Sequence, residues 1–126
     1  MKILHTSDWH VGKVLKGQPR LDEHKAVLAE LVEIARVESP DLFLVAGDLF
    51  DTAAPIPAAT RLVTGALTAL RGTGADVVVI AGNHDNGAAL EALRPWAEAA
   101  GSTLRGTVRG LTEHRITGTT AGGERW

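Results

Sequence analysis

The sequence has 126 residues, the length of a single domain with one hydrophobic core. Apolar residues make up 44% and charged residues 22%, an ordinary globular composition that excludes intrinsic disorder, collagen-like repeats and a coiled coil. The net charge of −2 provides no basic field for nucleic acid, and the absence of cysteine excludes disulfides and thiolate metal ligands.

The first hundred residues alternate between short apolar runs and segments with a helical period. The apolar runs predict three buried strands, at Lys2–Thr6, Leu42–Ala46 and Val77–Ala81. The periodic segments predict three helices, at Asp22–Val37, Pro57–Leu70 and Gly87–Ala100, the last capped by Asn86 and stopped by Gly101. This β-α-β-α-β-α order predicts an α/β fold, a layered parallel sheet with helices on both faces.

After Gly101 the pattern changes to polar alternation. We expect antiparallel strands at Thr103–Arg109 and Glu113–Thr119, and a turn at Ala121–Gly123. No apolar run approaches the roughly 20 residues of a membrane-spanning helix, and the first apolar stretch is too short for a signal peptide. We therefore expect no membrane association.

Polar clusters follow all three predicted strands. They are Asp8-Trp9-His10, Gly47-Asp48-Leu49-Phe50-Asp51 and Gly82-Asn83-His84-Asp85. Ligands of open α/β sheets bind beyond the carboxyl ends of the strands, so the three clusters should converge. One such cluster alone is ordinarily a turn or a helix cap, but three in succession indicate a site. Carboxylate, amide and imidazole donors without thiolates suit manganese, iron or zinc, and a bridging carboxylate would permit two-metal hydrolysis of a phosphate ester.

These three clusters resemble the D-x-H, G-D-x-x-D and G-N-H-[DE] signature of calcineurin-like metallophosphoesterases. The flanking residues, with Trp9 between Asp8 and His10 and the hydrophobic-Gly pair Val11-Gly12 after them, are similar to SbcD-type nucleases. The resemblance implies a manganese-dependent DNA nuclease that works with an SbcC-like ATPase of the SMC type in DNA repair and recombination. It also implies a homodimer and a cytoplasmic, nucleoid-associated location.

The resemblance assigns roles residue by residue. Asp8, His10, Asp48 and Asn83 would be metal ligands, with Asp48 bridging two Mn²⁺ ions. His84 would contact the scissile phosphate, and Asp85 would orient the His84 ring. Asp51 would support the metal ligands from behind.

The family completes its metal pair with three further histidines, one alone and two in a Gly-His-x-His motif. The only later histidine here is His114, which we interpret as an exposed bystander. We therefore expect residues 1–126 to form part of a metallophosphoesterase domain whose second half lies outside this sequence. On this expectation the isolated chain is a weak or inactive enzyme.

The remaining candidates have plainer interpretations. Lys13, Lys16 and Arg20 lie in a basic loop, which is either an ordinary charged loop or a set of DNA phosphate contacts. We expect His5 to be a packed residue of the first strand, His24 to lie on the solvated face of the first helix, and Trp9 to pack against the wall of the site.

Two alternatives to the nuclease remain open. The same fold and chemistry could serve another phosphodiesterase or a phosphatase, although Val11 stands where a phosphatase would have glycine. A chain with an incomplete metal site could instead be a non-catalytic module for dimerisation or partner binding, with the second and third helices as its contact face.

Overall fold

A computed structural model of the chain describes residues 1–108, 110, 112–113 and 115–126. Its main sheet contains four strands, β1 (Ile3–Thr6), β4 (Leu42–Ala46), β5 (Asp76–Ile80) and β6 (Ser102–Arg105). A separate two-stranded hairpin is formed by β2 (Val14–Leu15) and β3 (Gln18–Pro19). The helices are α1 (Leu21–Glu38), α2 (Pro57–Arg71), α3 (Gly87–Ala92) and α4 (Arg94–Ala99). The predicted α/β class and its first three strands are confirmed, with bounds shifted by at most one residue.

The sheet order β1-β4-β5-β6 follows the order of the chain, and every pairing is parallel. Successive right-handed crossovers that advance in one direction place all their helices on the same face. The hydrophobic core is consistent with this placement, because each helix contributes to a single cluster against one face of the sheet. The contributing residues include Leu28 of α1, Leu67 of α2, Leu90 of α3 and Ala97 of α4. The expectation of helices on both faces is therefore corrected, since it would require the strand order to reverse.

The face of the sheet without helices explains a second correction. Leu4 pairs in register with the core residue Phe43, so the next residue, His5, lies on the opposite face. That face carries no described helix, and β1 is an edge strand, so His5 is exposed rather than packed. Exposed Ile3 and Ile80 share this face.

The third predicted helix is two short helices. Asn86 caps α3 as predicted, with its side-chain oxygen accepting a hydrogen bond from the Ala89 amide at 3.1 Å. The helix then breaks at Leu93, because Pro95 lacks the N–H that a continuous helix would require there. Gly101 ends α4 with a φ of +76°, as expected of a residue that stops a helix.

The region after Gly101 differs most from its prediction. β6 pairs parallel to β5, because the α3–α4 crossover returns the chain to the starting end of the sheet, so the antiparallel expectation was wrong. Over the described residues of the second predicted strand there is a single antiparallel bridge, Thr119 with Arg125. The turn at Ala121–Gly123 is confirmed, with the Gly123 amide bonded to the Thr120 carbonyl at 2.9 Å. Arg109 and His114 lie outside the described residues.

Among the described residues, none of the helices is both long and apolar enough to cross a bilayer.

Candidate metal centre

The three polar clusters converge at the carboxyl end of the sheet, as the sequence predicts. We call residues 7–11, 47–51 and 82–85 the strand-end loops, since they follow β1, β4 and β5. The first two run side by side, with the amides of Asp8, His10 and Val11 bonded to carbonyls of the second loop at 2.9–3.1 Å. These backbone bonds extend the parallel pairing of β1 and β4 past the ends of the strands. They bring the side chains of both loops to one place.

Left-handed backbone conformations aim the acidic and imidazole side chains at that place. The φ values are 56° for Asp8, 45° for His10 and 52° for Asp48, a backbone region that residues other than glycine seldom adopt. Aspartate tolerates it better than most residues, but each such conformation is a local cost that the rest of the fold must offset. The backbone bonds between the loops provide that support.

The result is a three-residue group that could hold a metal ion. Ligand atoms of Asp8, His10 and Asp48 lie within 4.8 Å of one another. The His10 Nε2 atom lies 3.8 Å from the Asp8 carboxylate and 4.0 Å from the Asp48 carboxylate. Asp48 is buried while the Asp8 side chain is 66% exposed, so the group opens to solvent on one side. A cation could enter there and meet two carboxylates and one imidazole.

The donor set fits a hard or borderline divalent cation. Two charged oxygens and one imidazole nitrogen suit manganese, iron or zinc. Two carboxylates held near each other also repel, and a cation between them would relieve that repulsion. The structure thus supports a metal site at this place without selecting one metal.

The Asp51 carboxylate lies beside the His10 ring, which is the supporting position expected for Asp51. The buried His10 Nδ1 atom has no hydrogen-bond partner among the described residues, and it lies 3.5 Å from the Asp51 carboxylate. A metal-binding histidine commonly directs its second nitrogen at a carboxylate, which fixes the ring and its proton. The same Asp51 oxygen lies 3.6 Å from the Lys13 ammonium. Lys13 therefore sits at the edge of the candidate site.

The third loop places His84 beside His10. Their ring centroids are 4.9 Å apart and the rings are nearly perpendicular, at 87°. The His84 amide donates to the buried Asp48 carboxylate at 2.9 Å. Asn83 is exposed on the same loop, one residue before that amide. The His84 ring thus lies next to the three-residue group, and Asn83 is its exposed neighbour in the chain.

Asp85 holds the backbone instead of the His84 ring. Its carboxylate accepts hydrogen bonds from the amides of Leu49 at 3.2 Å, Phe50 at 3.0 Å and Gly82 at 2.9 Å. The bracing is reciprocal, because a carboxylate of each loop accepts amides of the other. In the described chain, no hydrogen bond joins Asp85 to the His84 imidazole.

Two glycines permit the close approach of the second and third loops. A Cβ on Gly47 would lie 2.7 Å from the Cα of Gly82, and a Cβ on Gly82 would collide with the Asp48 side chain and amide. Gly47 also has a φ of +89°. The glycines of both motifs are therefore required by packing around Asp48.

The basic loop is a β-hairpin, which the sequence analysis did not predict. Lys16 and Gly17 form its two-residue turn, both with positive φ, as in a type I′ turn. Lys13 faces Asp51, and exposed Lys16 lies in the turn. The Arg20 guanidinium pairs with the Glu23 carboxylate, which raises the pKa of Arg20 and lowers that of Glu23. The hairpin places its cations beside the site but outside it.

The surroundings of His24 and Trp9 differ from those expected from the sequence. His24 is half-buried, not solvated, and its Nδ1 atom has no solvent access. Its spacing from Leu21 and Leu28 on α1 was the available signal, since residues three and four apart share a helix face. Trp9 packs against the hydrophobic core, where a place in the wall of the site was expected, and its indole N–H donates to Thr6 at 3.1 Å.

Comparison with known proteins agrees with this geometry. The model of the calcineurin-like phosphoesterase family matches residues 1–121. The chain is 47% identical over 107 residues to the D subunit of nuclease SbcCD from Bacillus subtilis, covering 84% of this chain and 27% of that protein. It is 45% identical over 94 residues to the protein of the same name from Escherichia coli K12, covering 75% and 24%.

A third relative, the protein of the same name from Rhodobacter capsulatus, is 42% identical over 110 residues, covering 86% of this chain and 27% of that protein. The chain therefore spans about a quarter of the length of these curated relatives. The family model matches nearly the whole chain, including the three motifs that build the candidate site. This chain therefore belongs to the calcineurin-like phosphoesterase family.

Proposed function

We propose that this chain forms the first part of a metal-dependent phosphodiesterase site that acts on DNA. The observation that carries the proposal is the convergence of Asp8, His10 and Asp48 within 4.8 Å, with the His84 ring packed beside them. The names of the relatives, each a nuclease subunit, support DNA as the substrate class.

Asp8, His10, Asp48 and Asn83 would hold the cations, and we propose Mn²⁺ as the metal. Bound divalent cations would supply charge neutralisation of a phosphodiester and activation of a water molecule. Asp48 fits the bridging role best, because it is the buried member of the group and lies between the first and third loops. Asp51 would hold the His10 ring through its Nδ1 atom.

The His84 imidazole would act on the phosphate directly. Its ring is exposed, and its edge-to-face contact with His10 fixes it next to the metal ligands. An imidazole there can hydrogen-bond a phosphate oxygen or give a proton to the leaving oxygen. Asp85 would act through the backbone, as a positioning residue that keeps the second and third loops together.

Lys13 and Lys16 would contact DNA phosphates next to the site. Arg20 was proposed for the same role, but its guanidinium is paired with Glu23, so it would contact DNA only by leaving that partner. With a net charge of −2, the chain would depend on the cations and on this hairpin for its attraction to DNA.

The partner, biological role and location of this chain are proposed from its relatives. Their printed names describe one subunit of a nuclease called SbcCD, so we propose that this chain belongs to a longer subunit that works with an SbcC-like ATPase. We further propose homodimerisation, a role in DNA repair and recombination, and a cytoplasmic, nucleoid-associated location.

The test is hydrolysis of linear duplex DNA in Mn²⁺ by this chain, beside Asp48→Ala and a generic phosphodiester, bis(p-nitrophenyl) phosphate. Slow DNA cleavage that Asp48→Ala abolishes supports the proposal. Cleavage of the small ester without any action on DNA would favour another phosphodiesterase. Failure of the chain both to bind Mn²⁺ and to cleave either substrate would contradict the catalytic proposal and favour a binding module.

A further inference from the structure

A cavity lies between α1 and the first strand-end loop, next to the candidate metal centre. Its volume is about 210 Å³, and Asp8, Trp9, His24, Val27 and Leu31 contribute to its walls. That volume is below the roughly 300–1,000 Å³ typical of pockets for drug-sized ligands. It suits one ring system and not a whole nucleotide.

Two aromatic side chains, Trp9 and His24, line the cavity beside aliphatic ones. The Trp9 indole N–H already donates to Thr6, so Trp9 contributes ring surface. The His24 Nδ1 atom is buried, so a ligand would meet the rest of the imidazole ring and not this nitrogen. A ligand that enters the cavity would therefore find mainly aromatic and aliphatic surface.

The charge of the lining excludes some ligands. No lysine or arginine lines the cavity among the described residues, and Asp8 contributes a carboxylate. A phosphate in the cavity would therefore be repelled, while a flat, neutral heteroaromatic ring would meet no unfavourable charge. Of the parts of a nucleotide, only the base has this character.

We propose that this cavity, defined by Trp9 and His24, is a base subsite that receives the nucleobase of the nucleotide whose phosphate occupies the metal centre. Asp8 connects the two places, because it lines the cavity and also belongs to the metal-binding group. The inference rests on the proposed function and adds to it, since it makes His24 and Trp9 determinants of how a nucleotide is oriented.

The contact of a base with aromatic side chains has a predictable effect on affinity. Loss of a base–aromatic contact lowers affinity by roughly tenfold or more. We therefore expect deoxyadenosine 5′-monophosphate to bind about tenfold more tightly than 2-deoxyribose 5-phosphate, which has the same phosphate and sugar but no base.

The experiment measures the affinity of both compounds for this chain in Mn²⁺ by isothermal titration calorimetry. The variants are His24→Leu and, as a matched control, His5→Leu, which changes an exposed histidine on the opposite side of the sheet. The tenfold preference for the nucleotide should survive in His5→Leu and become smaller in His24→Leu, which keeps Trp9. An unchanged preference in His24→Leu would overturn the role of His24. Equal affinities of the two compounds for the unaltered chain would overturn the inference.

A second measurement needs no folded variant. The indole N–H resonance of Trp9, observed by NMR, should shift on addition of the nucleotide and not of the sugar phosphate. An unchanged resonance at saturating nucleotide would also overturn the inference.

The two proposals fail in different ways. If the sugar phosphate binds only with Mn²⁺ and the base adds nothing, the base subsite is wrong and the proposed function stands. If neither compound binds in the presence of Mn²⁺, the proposed function fails and the subsite fails with it.

Discussion

The strand-end loops and the β2–β3 hairpin are both polar, and both lie at the carboxyl end of the sheet, yet they are held very differently. The loops are fixed by backbone bonds between neighbours and by the two carboxylates of Asp48 and Asp85. The hairpin has a two-pair ladder and exposes most of its side chains, including Val14 and Leu15.

This difference fits the two functions that we propose for the two regions. The candidate metal ligands Asp8, His10 and Asp48 have strained backbone that many bonds support, and metal ligands must hold their geometry closely. The proposed DNA contacts need only lie near a phosphate backbone, so a weakly supported hairpin is sufficient for them. Substitutions in the loops should therefore change stability and metal binding together. Those in the hairpin should change neither.

The largest effect is expected from Gly82→Ala. The new methyl group would collide with the Asp48 side chain and amide, so one of the two loops must move. Overpacking of this kind costs about 1–3 kcal/mol or more, and we expect a loss of about 3 kcal/mol in the free energy of unfolding, measured by urea denaturation.

The matched control is Gly65→Ala, in the middle of α2, where an added Cβ meets nothing within 4 Å. It should stabilise the protein by about 0.5–1 kcal/mol, since alanine favours helix. Equal stabilities of the two variants would mean that the loops are not tightly packed around Asp48.

Removing the Asp85 carboxylate is expected to have the next largest effect. Asp85→Ala leaves the amides of Leu49, Phe50 and Gly82 without their acceptor, at roughly 1–3 kcal/mol for each that water cannot reach. We expect a loss of about 2–4 kcal/mol in unfolding free energy and weaker Mn²⁺ binding. Asp85→Asn, which keeps one acceptor oxygen, should lose less.

Glu30→Ala serves as the comparison for Asp85, because Glu30 is exposed on α1. It should change stability by no more than about 0.5 kcal/mol. An Asp85→Ala variant as stable as Glu30→Ala would contradict the role of Asp85 as the brace between the loops.

The hairpin lysines should affect DNA and not stability. The double variant Lys13→Gln, Lys16→Gln should unfold within about 0.5 kcal/mol of the unaltered chain. Its affinity for duplex DNA should fall, and the slope of log affinity against log salt should decrease by about one for each lost phosphate contact. Lys25→Gln, an exposed change on α1, should leave that slope unchanged. Equal slopes for the unaltered chain, the double variant and Lys25→Gln would show that the hairpin does not contact the DNA phosphates.

The smallest effect is a pH dependence at the base of the hairpin. Pairing with Arg20 lowers the pKa of Glu23, so the folded state favours the ionised carboxylate. The pair therefore contributes stability at neutral pH, and this contribution is lost as the pH falls through the range where Glu23 takes up a proton. Both groups are exposed to solvent, so the effect is small.

Melting temperatures of the chain and of Glu23→Gln should differ slightly at neutral pH and converge in acid. A difference that persists in acid would show that the substitution acts through something other than this ion pair.

Local sequence patterns were sufficient for the first three strands of the main sheet and for the convergence of the polar clusters that follow them. The buried runs at Leu42–Ala46 and Asp76–Ile80 are β-rich and bounded by breakers, so their positions follow from composition. Once the strands are parallel, the three polar clusters have to meet at one end of the sheet. The close group of Asp8, His10 and Asp48 could therefore be located from the sequence before any coordinates.

The remaining features depend on information that local patterns do not contain. His5 is exposed because the helices cover the other face of the sheet, whereas the spacing of His24 from Leu21 and Leu28 on α1 could have indicated its partial burial. The covered face follows from strand order, which a one-dimensional pattern does not show. The direction of β6 depends on the crossover before it, and the hairpin turn at Lys16-Gly17 lacks the usual asparagine-glycine signal.

The most direct test of this account is Mn²⁺ binding, followed by the loss of the free-ion signal in electron paramagnetic resonance. Asp48→Asn keeps the shape of the side chain and an acceptor for the His84 amide, but it removes the central charge. Asp41→Asn is the matched control at the opposite end of the sheet, where Asp41 accepts the Lys2 amide.

We predict that the chain and Asp41→Asn bind Mn²⁺ alike and that Asp48→Asn binds at least tenfold more weakly. Binding that is unchanged in Asp48→Asn, or absent from all three proteins, would contradict the assignment of Asp8, His10 and Asp48 as a metal centre.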